Sequence, residues 1–127
     1  MSPVRMSKFE AAMRAVLDFN KAFNRRDLTG MMELVSDDCI FESAHPAPGG
    51  KPYRGKEEIL AYWRDYFNEK HQAQREIEEV FSAGERCILR WKSTWVSAGT
   101  QKENLRGVDL FQARDGLLDQ ILSYVKG

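Results

Sequence analysis

The sequence lacks the features that tie a chain to a membrane, a disulfide framework or a zinc ion. No apolar run approaches the roughly 20 residues of a membrane span. Two cysteines are too few for a disulfide scaffold, and neither has histidines near it at zinc-finger spacing. The first residues lack the apolar segment of a secretory signal. We therefore expect a cytoplasmic protein with two reduced thiols, no metal site, no cofactor and no membrane partner.

Neither basic nor acidic residues are in excess. Nineteen basic and nineteen acidic residues give a net charge of zero, whereas nucleic-acid-binding domains are usually basic. We therefore predict no nucleic-acid partner. What is present is a globular composition, with 43% hydrophobic and 30% charged residues. A chain of 127 residues suits one domain, and we assign residues 1–127 to it.

The first half of the chain shows mainly helical periodicity. Residues 7–25 repeat apolar side chains at helical spacing, and Ser7 with Glu10 forms a possible capping box. Asp27 is placed to cap a short second helix ending near Val35. A short strand is expected over 39–42, and a third, highly aromatic helix over about 56–69. The segment 43–55 holds three prolines and three glycines, so we predict a loop there.

From residue 74 onward the pattern changes to the period of two that is typical of strands. We expect strands over 74–83, 86–97, 102–113 and 117–126, with turns at Ala83-Gly84, Ala98-Gly99 and Asp115-Gly116. Helices followed by a strand meander predict an α+β fold, with three N-terminal helices packed on one face of an antiparallel sheet.

Alternation assigns the two faces of that sheet. Trp91 should be buried, with Arg90 and Lys92 on the opposite face. That opposite face also carries an apolar group, which a monomer would expose, and we therefore predict a homodimer formed through it. The group consists of Ile88, Val96, Val108 and Leu110.

Asp109 is the residue that does not suit a purely structural strand. It shares a face with Gly107 and Phe111, so its carboxyl group lies either at a solvated edge or in a cavity. No basic residue of its own strand shares that face, because Arg106 and Arg114 have the opposite parity. Burial would favour the neutral acid, which can donate a hydrogen bond to a ligand oxygen, unless an arginine or several amides reach it.

Four motifs occur in an order that resembles the NTF2-like superfamily, and within it the SnoaL-like group of polyketide cyclases and ketosteroid isomerases. The resemblance covers roughly residues 8–126. It implies a cone made by three helices on a curved sheet, an apolar pocket and dimerisation through the sheet's outer face. The motifs are Asn24-Arg-Arg-Asp-Leu28, Asp37-Asp-Cys-Ile-Phe-Glu42, Tyr53-Arg-Gly-Lys-Glu-Glu-Ile59 and Arg106-Gly-Val-Asp-Leu-Phe with Arg-Asp-Gly116.

The resemblance matches the isomerase pattern at one functional position only. The isomerase base falls on Ser43, and the two tyrosines of that pattern fall on Phe19 and Trp63. The second oxyanion-hole group, a carboxylic acid, falls on Asp109, where SnoaL-type cyclases also have their acid–base aspartate. The cyclases' partner histidine has no equivalent in 86–97. The Arg-x-Asp motif of limonene-epoxide-hydrolase-like members is also not reproduced, since Arg106 lies three residues from Asp109. We expect no steroid isomerase activity.

Two further residues are candidates for acid–base chemistry. Glu42 could replace the missing base if its side chain enters the cone, and alternation leaves both faces open. His45 could also act as a base, since histidine is the residue most often used for that role near neutral pH, although a surface histidine without function is the alternative. The residues expected to form the pocket wall are Phe19, Trp63, Tyr66, Leu89, Trp91, Phe111, Ile121 and Val125.

Two functions of different class remain open from the sequence. One is a cofactor-independent cyclase, isomerase or dehydratase that acts on a small, largely apolar carbonyl or polyketide-like substrate, with Asp109 as acid or hydrogen-bond donor. The other is a non-catalytic module that binds a small apolar molecule or serves for dimerisation. A second titratable group beside Asp109 would favour the enzyme.

Overall fold

The computed structural model describes residues 8–46, 48–97 and 102–126. The fold is α+β, with three helices and a six-stranded curved sheet. The elements in chain order are α1 (Lys8–Asn24), α2 (Leu28–Glu33), β1 (Val35–Ser43), β2 (Lys51–Arg54), α3 (Gly55–Glu69), β3 (His71–Ala83), β4 (Arg86–Val96), β5 (Lys102–Arg114) and β6 (Leu117–Lys126).

The three predicted helices are present. Asp27 caps α2, because its Oδ1 accepts a hydrogen bond from the N–H of Gly30 at 2.9 Å. The predicted cap at Ser7 and the turn at Ala98-Gly99 lie outside the described residues. Within the described part of the chain, no helix has both the length and the apolar character needed to cross a membrane.

The sheet differs from the expected meander at one end. Its strand order is β2-β1-β6-β5-β4-β3. Strands β3 to β6 form the predicted antiparallel meander, but β1 pairs with β6 in parallel. The strand β1 is also longer than the predicted 39–42.

The loop predicted over 43–55 was wrong in part, because it contains β2. This strand pairs with the end of β1, with Ser43 opposite Lys51. Pro52 is compatible with this strand because β2 lies at the edge of the sheet. Proline is tolerated on an edge strand where its missing N–H would face away from the neighbouring strand. The helix α3 follows this hairpin, so one of the three helices comes after the first two strands.

The predicted register of the central strands is confirmed. Trp91 is buried, whereas Arg90 on the opposite face is exposed. Asp109 lies on the buried face of β5, where Leu89 is its partner on β4 and Ser123 its partner on β6. The helices cover this inner face, and the core lies between the two layers.

Candidate functional site

A cavity of about 770 Å³ lies between α3 and the inner face of the sheet. Its wall is largely aromatic, and polar side chains are gathered at its mouth and around Asp109. Such a volume suits a small organic molecule. The aromatic residues that line it are Phe41, Tyr53, Tyr62, Trp63, Tyr66, Trp91 and Trp95.

Asp109 lies on the wall of this cavity, and only 3% of the residue is exposed. Arg75 reaches it from β3, with 3.2 Å between Arg75 Nη1 and Asp109 Oδ2. A neutral acid was expected only if no arginine reached Asp109. The guanidinium group of Arg75 does reach it, so that expectation does not apply. The geometry is that of an ion-paired carboxylate.

Aromatic rings hold the Arg75 guanidinium in place. Its central carbon lies 4.1 Å from the centroid of the Trp91 ring and 4.6 Å from that of Phe23. The Trp63 ring is 6.0 Å away. Cation–π contacts of this kind are strongest when water is excluded, and Arg75 is 7% exposed. The arginine is therefore fixed by packing as well as by its ion pair.

Several polar atoms around this ion pair have no hydrogen-bond partner among the described residues. They include Asp109 Oδ1, one unused acceptor, and three N–H donors: Arg75 Nε, Trp63 Nε1 and Trp91 Nε1. All four residues line the cavity. Leaving a buried polar group unpaired costs about 1–3 kcal/mol. Such a group of atoms is therefore more typical of a functional site than of a structural core.

Gly107 allows Trp91 to lie against β5. A Cβ atom at this position would overlap Trp91 Cζ2 and lie 2.6 Å from the backbone oxygen of Tyr124. No side chain larger than hydrogen fits without displacing the indole ring or the strand. The glycine two residues before Asp109 is therefore part of the site.

Tyrosine hydroxyls supply further donors in the cavity. Burial raises the pKa of Tyr62, and the neighbouring Tyr66 adds to the effect, so Tyr62 keeps its proton across the physiological range. The Tyr66 hydroxyl lies 3.5 Å from the hydroxyl of Ser93. Both tyrosines can donate to an oxygen atom of a ligand.

The mouth of the cavity is more polar. His45 lines it but is exposed. Lys70 lies over the rings of Tyr66 and Trp95, at 4.7 and 5.4 Å from their centroids. Ser43, which the isomerase comparison placed at the base position, is buried, and its hydroxyl bonds the backbone oxygens of His45 and Lys51. Ser43 therefore stabilises the β1–β2 hairpin.

The structure brings together only some of the predicted site residues. Asp109, His45, Trp63, Tyr66, Trp91 and Val125 line the cavity. Glu42 does not, because the buried Phe41 and Ser43 on either side of it face inward and Glu42 faces outward. The alternative that kept Glu42 outside the cone is the correct one. The remaining predicted wall residues pack in the core instead: Phe19, Leu89, Phe111 and Ile121.

Arg75 was not identified from the sequence as a site residue. Its partner is 34 residues away in the chain, so no local pattern connects the two. One signal was available: Ala73, Arg75 and Ile77 occupy every second position and therefore share one face of β3. An arginine between an alanine and an isoleucine on an inward face indicates a buried partner.

No three histidine, cysteine, aspartate or glutamate side chains come together as a metal site in the part of the chain that the structure describes. Both cysteines are free thiols in buried positions. Desolvation raises the pKa of Cys39 to about 12, so this thiol is unreactive at neutral pH.

Solved structures of similar fold cover almost the whole chain. An NTF2-like protein of unknown function from Mesorhizobium loti is 27% identical over 100% of both chains, with a TM-score of 0.81. RV0760c from Mycobacterium tuberculosis, solved in complex with estradiol-17beta-hemisuccinate, is 21% identical, covers 90% of this chain and 92% of its own, and has a TM-score of 0.79. These similarities show the NTF2-like fold.

A third structure, of a protein proposed to be a polyketide cyclase from Xanthomonas campestris, is 19% identical. It covers 94% of this chain and 93% of its own, with a TM-score of 0.77. No curated protein matches the sequence. The sequence profile of the SnoaL-like domain, in contrast, matches residues 16–121. The chain therefore belongs to the SnoaL-like domain family.

Proposed function

We propose that this protein is a cofactor-independent enzyme of the cyclase, isomerase or dehydratase type, acting on a small, largely apolar carbonyl compound. The observation that carries the proposal is that Oδ1 of Asp109 and three nearby N–H donors have no partner among the residues the structure describes, and that all four belong to residues lining one cavity. A proton acceptor next to donors is the arrangement that carbonyl enolisation needs.

The chemical step follows from this arrangement. Asp109 Oδ1 takes a proton from the carbon next to the substrate carbonyl, and the C–H electron pair forms a C=C bond to the carbonyl carbon. The C=O electron pair moves onto the oxygen, which carries the negative charge of the enolate. The N–H groups of Arg75, Trp63 and Trp91 stabilise that oxygen. In a β,γ-unsaturated ketone, return of the proton from Asp109 to the γ carbon gives isomerisation. In a substrate with a second carbonyl, the enolate carbon attacks it and forms a C–C bond, the C=O electron pair moves to that oxygen, and the resulting alkoxide takes the proton from Asp109 to complete cyclisation. The four atoms are covered in this conformation, so the proposed step requires side chains to move before a ligand can reach them.

The ion pair changes the role first assigned to Asp109. A neutral acid would donate a hydrogen bond. A carboxylate whose Oδ2 is bonded by Arg75 can instead accept a proton or a hydrogen bond at Oδ1. Asp109 is therefore the base in this proposal, and the donors are the indole and guanidinium N–H groups. His45 and Glu42 have no part in it.

The test is solvent deuterium exchange at the carbon next to the carbonyl of small cyclic ketones such as 1-tetralone, followed by NMR. We expect the protein to accelerate exchange by about 10²–10⁴-fold and the Asp109→Asn variant to lose this effect. Asp65→Asn is the matched control, since Asp65 lines the mouth of the same cavity. Exchange equal to that in buffer, or equal in wild type and Asp109→Asn, would contradict the proposal.

One observation favours a binding module as the second candidate. The ion-pair partner of Asp109 is an arginine, and arginine side chains stay protonated in proteins. An acid–base enzyme was expected to have a second titratable group beside Asp109, and Arg75 cannot serve as that group. A binding module would take up an apolar probe such as estradiol-17beta-hemisuccinate, quenching tryptophan fluorescence, without any ketone exchange.

We also propose that the protein forms a homodimer through the outer face of the sheet. Phe81 and Tyr124 are 50% and 53% exposed there. Phe81, Ile88, Leu110 and Leu122 occupy successive partner positions across four strands, which gives one apolar row. Light scattering should give about twice 14.7 kDa, and a mass near 14.7 kDa would contradict this assembly.

A further inference from the structure

The end of α1 is joined to β3 by side-chain hydrogen bonds to the strand's backbone. Among the described strands, β3 is at an edge of the sheet and pairs with β4. Its pairing is irregular between His71 and Gln74, and Gln72 has a positive φ of 55°. The backbone just before Arg75 is therefore not set by a regular ladder.

Asn24 bonds both backbone groups of Arg75. Its Oδ1 accepts a hydrogen bond from the Arg75 N–H at 2.6 Å, and its Nδ2 donates to the Arg75 carbonyl oxygen at 3.0 Å. Asn20 Nδ2 adds a longer bond to the same carbonyl oxygen, at 3.3 Å. Asn24, with the longer bond from Asn20, thus occupies the place that a neighbouring strand would take at residue 75.

The neighbour of Asn24 in the helix contacts the other end of the same arginine. Phe23 packs against the guanidinium group at 4.6 Å, while Asn24 holds the backbone. The end of α1 therefore fixes Arg75 at both ends. Because Arg75 bonds Oδ2 of Asp109, whereas Oδ1 has no partner in the described part of the chain, a shift of Arg75 changes which carboxylate oxygen is available.

We propose that Asn24 is a positioning residue: through the backbone of Arg75 it sets the geometry of the Arg75–Asp109 pair. It is not among the residues that line the cavity. The inference rests on the proposed function for its catalytic consequence, but the geometric claim can be measured without any substrate. The proposal also assigns a role to the first residue of the Asn24-Arg-Arg-Asp-Leu28 motif.

The chain offers a matched control at the same joint. Arg26 Nη1 donates to the carbonyl oxygen of Ala73 at 3.0 Å, which is a side-chain bond to β3 two residues from Arg75. Arg26→Ala removes a helix-to-strand bond of the same kind but leaves residue 75 held. Asn24→Ala removes both bonds that Asn24 makes to residue 75 and leaves the longer one from Asn20.

The primary measurement is the NMR signal of the Arg75 Nε–H group and its exchange with solvent. We expect exchange to be faster by about tenfold in Asn24→Ala, in keeping with two lost hydrogen bonds, and within about twofold of wild type in Arg26→Ala. Asn24→Asp keeps the acceptor but not the donor and should lie between them. It also replaces Asn24→Ala if that variant does not fold.

Equal exchange in the Asn24 and Arg26 variants, or exchange in the Asn24 variants equal to wild type, would overturn the positioning role. The catalytic consequence is measured separately: kcat of ketone exchange should fall in Asn24→Ala with little change in KM. If wild type shows no ketone exchange, the proposed function fails while the Nε–H result still decides the positioning claim.

Discussion

Two arginine–carboxylate pairs lie on opposite faces of the same part of the sheet. On the inner face, Arg75 and Asp109 are 3.2 Å apart with side chains 7% and 4% exposed. On the outer face, Arg90 and Glu79 are 3.4 Å apart with side chains 48% and 57% exposed. Both pairs join a guanidinium group to a carboxylate, but the outer pair is exposed and Arg90 also lies 3.5 Å from Glu78 Oε1.

The difference shows which pair needs an explanation beyond stability. An exposed pair contributes about 0–1 kcal/mol and remains solvated when broken. A buried pair has lost the hydration of both ions, and apolar side chains of similar volume are often as good or better for stability. The inner pair also leaves Asp109 Oδ1 and Arg75 Nε without partners among the described residues. We therefore attribute it to function.

The largest expected effect comes from breaking one member of each pair. Arg75→Met should destabilise the protein by about 3–5 kcal/mol, because it leaves Asp109 buried without its counter-charge. Arg90→Met on the outer face should cost no more than about 1 kcal/mol. Urea denaturation of the two variants makes the comparison. Equal losses would mean that burial does not distinguish the pairs.

Adding one methyl group at Gly107 tests the packing that holds the inner pair. Gly107→Ala should cost about 1–3 kcal/mol, since the new Cβ overlaps Trp91 and the strand backbone. Near-UV circular dichroism should also change, because the indole ring loses its fixed position. A variant with wild-type stability and an unchanged spectrum would show that Trp91 does not depend on Gly107.

A smaller effect should appear only at alkaline pH. The pKa of Cys39 is raised from 9.0 to about 12 by burial, so above pH 9 the unfolded chain releases a proton that the folded chain retains. This lowers the stability by up to about 1.4 kcal/mol per pH unit between those two values. In Cys39→Ala the fall between pH 9 and about pH 10.5 should be less steep. An unchanged slope would contradict this origin.

The smallest change in fold stability, but a clear change in mass, is expected on the outer face. Phe81→Glu introduces a charge into the exposed apolar row and should give a monomer near 14.7 kDa. Asn68→Glu, at an exposed position on α3 and away from the sheet's outer face, is the control and should leave a dimer. A mass that does not respond to Phe81→Glu would exclude this row as the interface.

Much of the fold was predictable because alternation is a local property. The strand periods of β4 and β5 placed Trp91 inward and Arg90 outward, and the same parity defined the face of Asp109. The hairpin strand β2 was missed because Pro52 and the surrounding glycines have turn propensity. In this segment, pairing with β1 at the sheet's edge outweighs that propensity.

The site was less predictable than the fold, since it depends on pairs that are distant in sequence. The parity of β5 shows that Asp109 has no basic neighbour on its own strand, but it carries no information on β3. Arg75 meets Asp109 because β3 and β5 both flank β4. The same limit applies to Glu42: its orientation follows from β1 pairing with β6, which no local pattern specifies.

The double variant Arg75→Met with Asp109→Leu tests the central claim most directly, with stability and ketone exchange measured on one sample. If the pair serves chemistry, the double variant should be at least as stable as wild type, more stable than Arg75→Met alone, and inactive in exchange. A double variant about 3 kcal/mol or more less stable than wild type would show that the pair holds the fold together. That result would contradict the attribution of the Arg75–Asp109 pair to function.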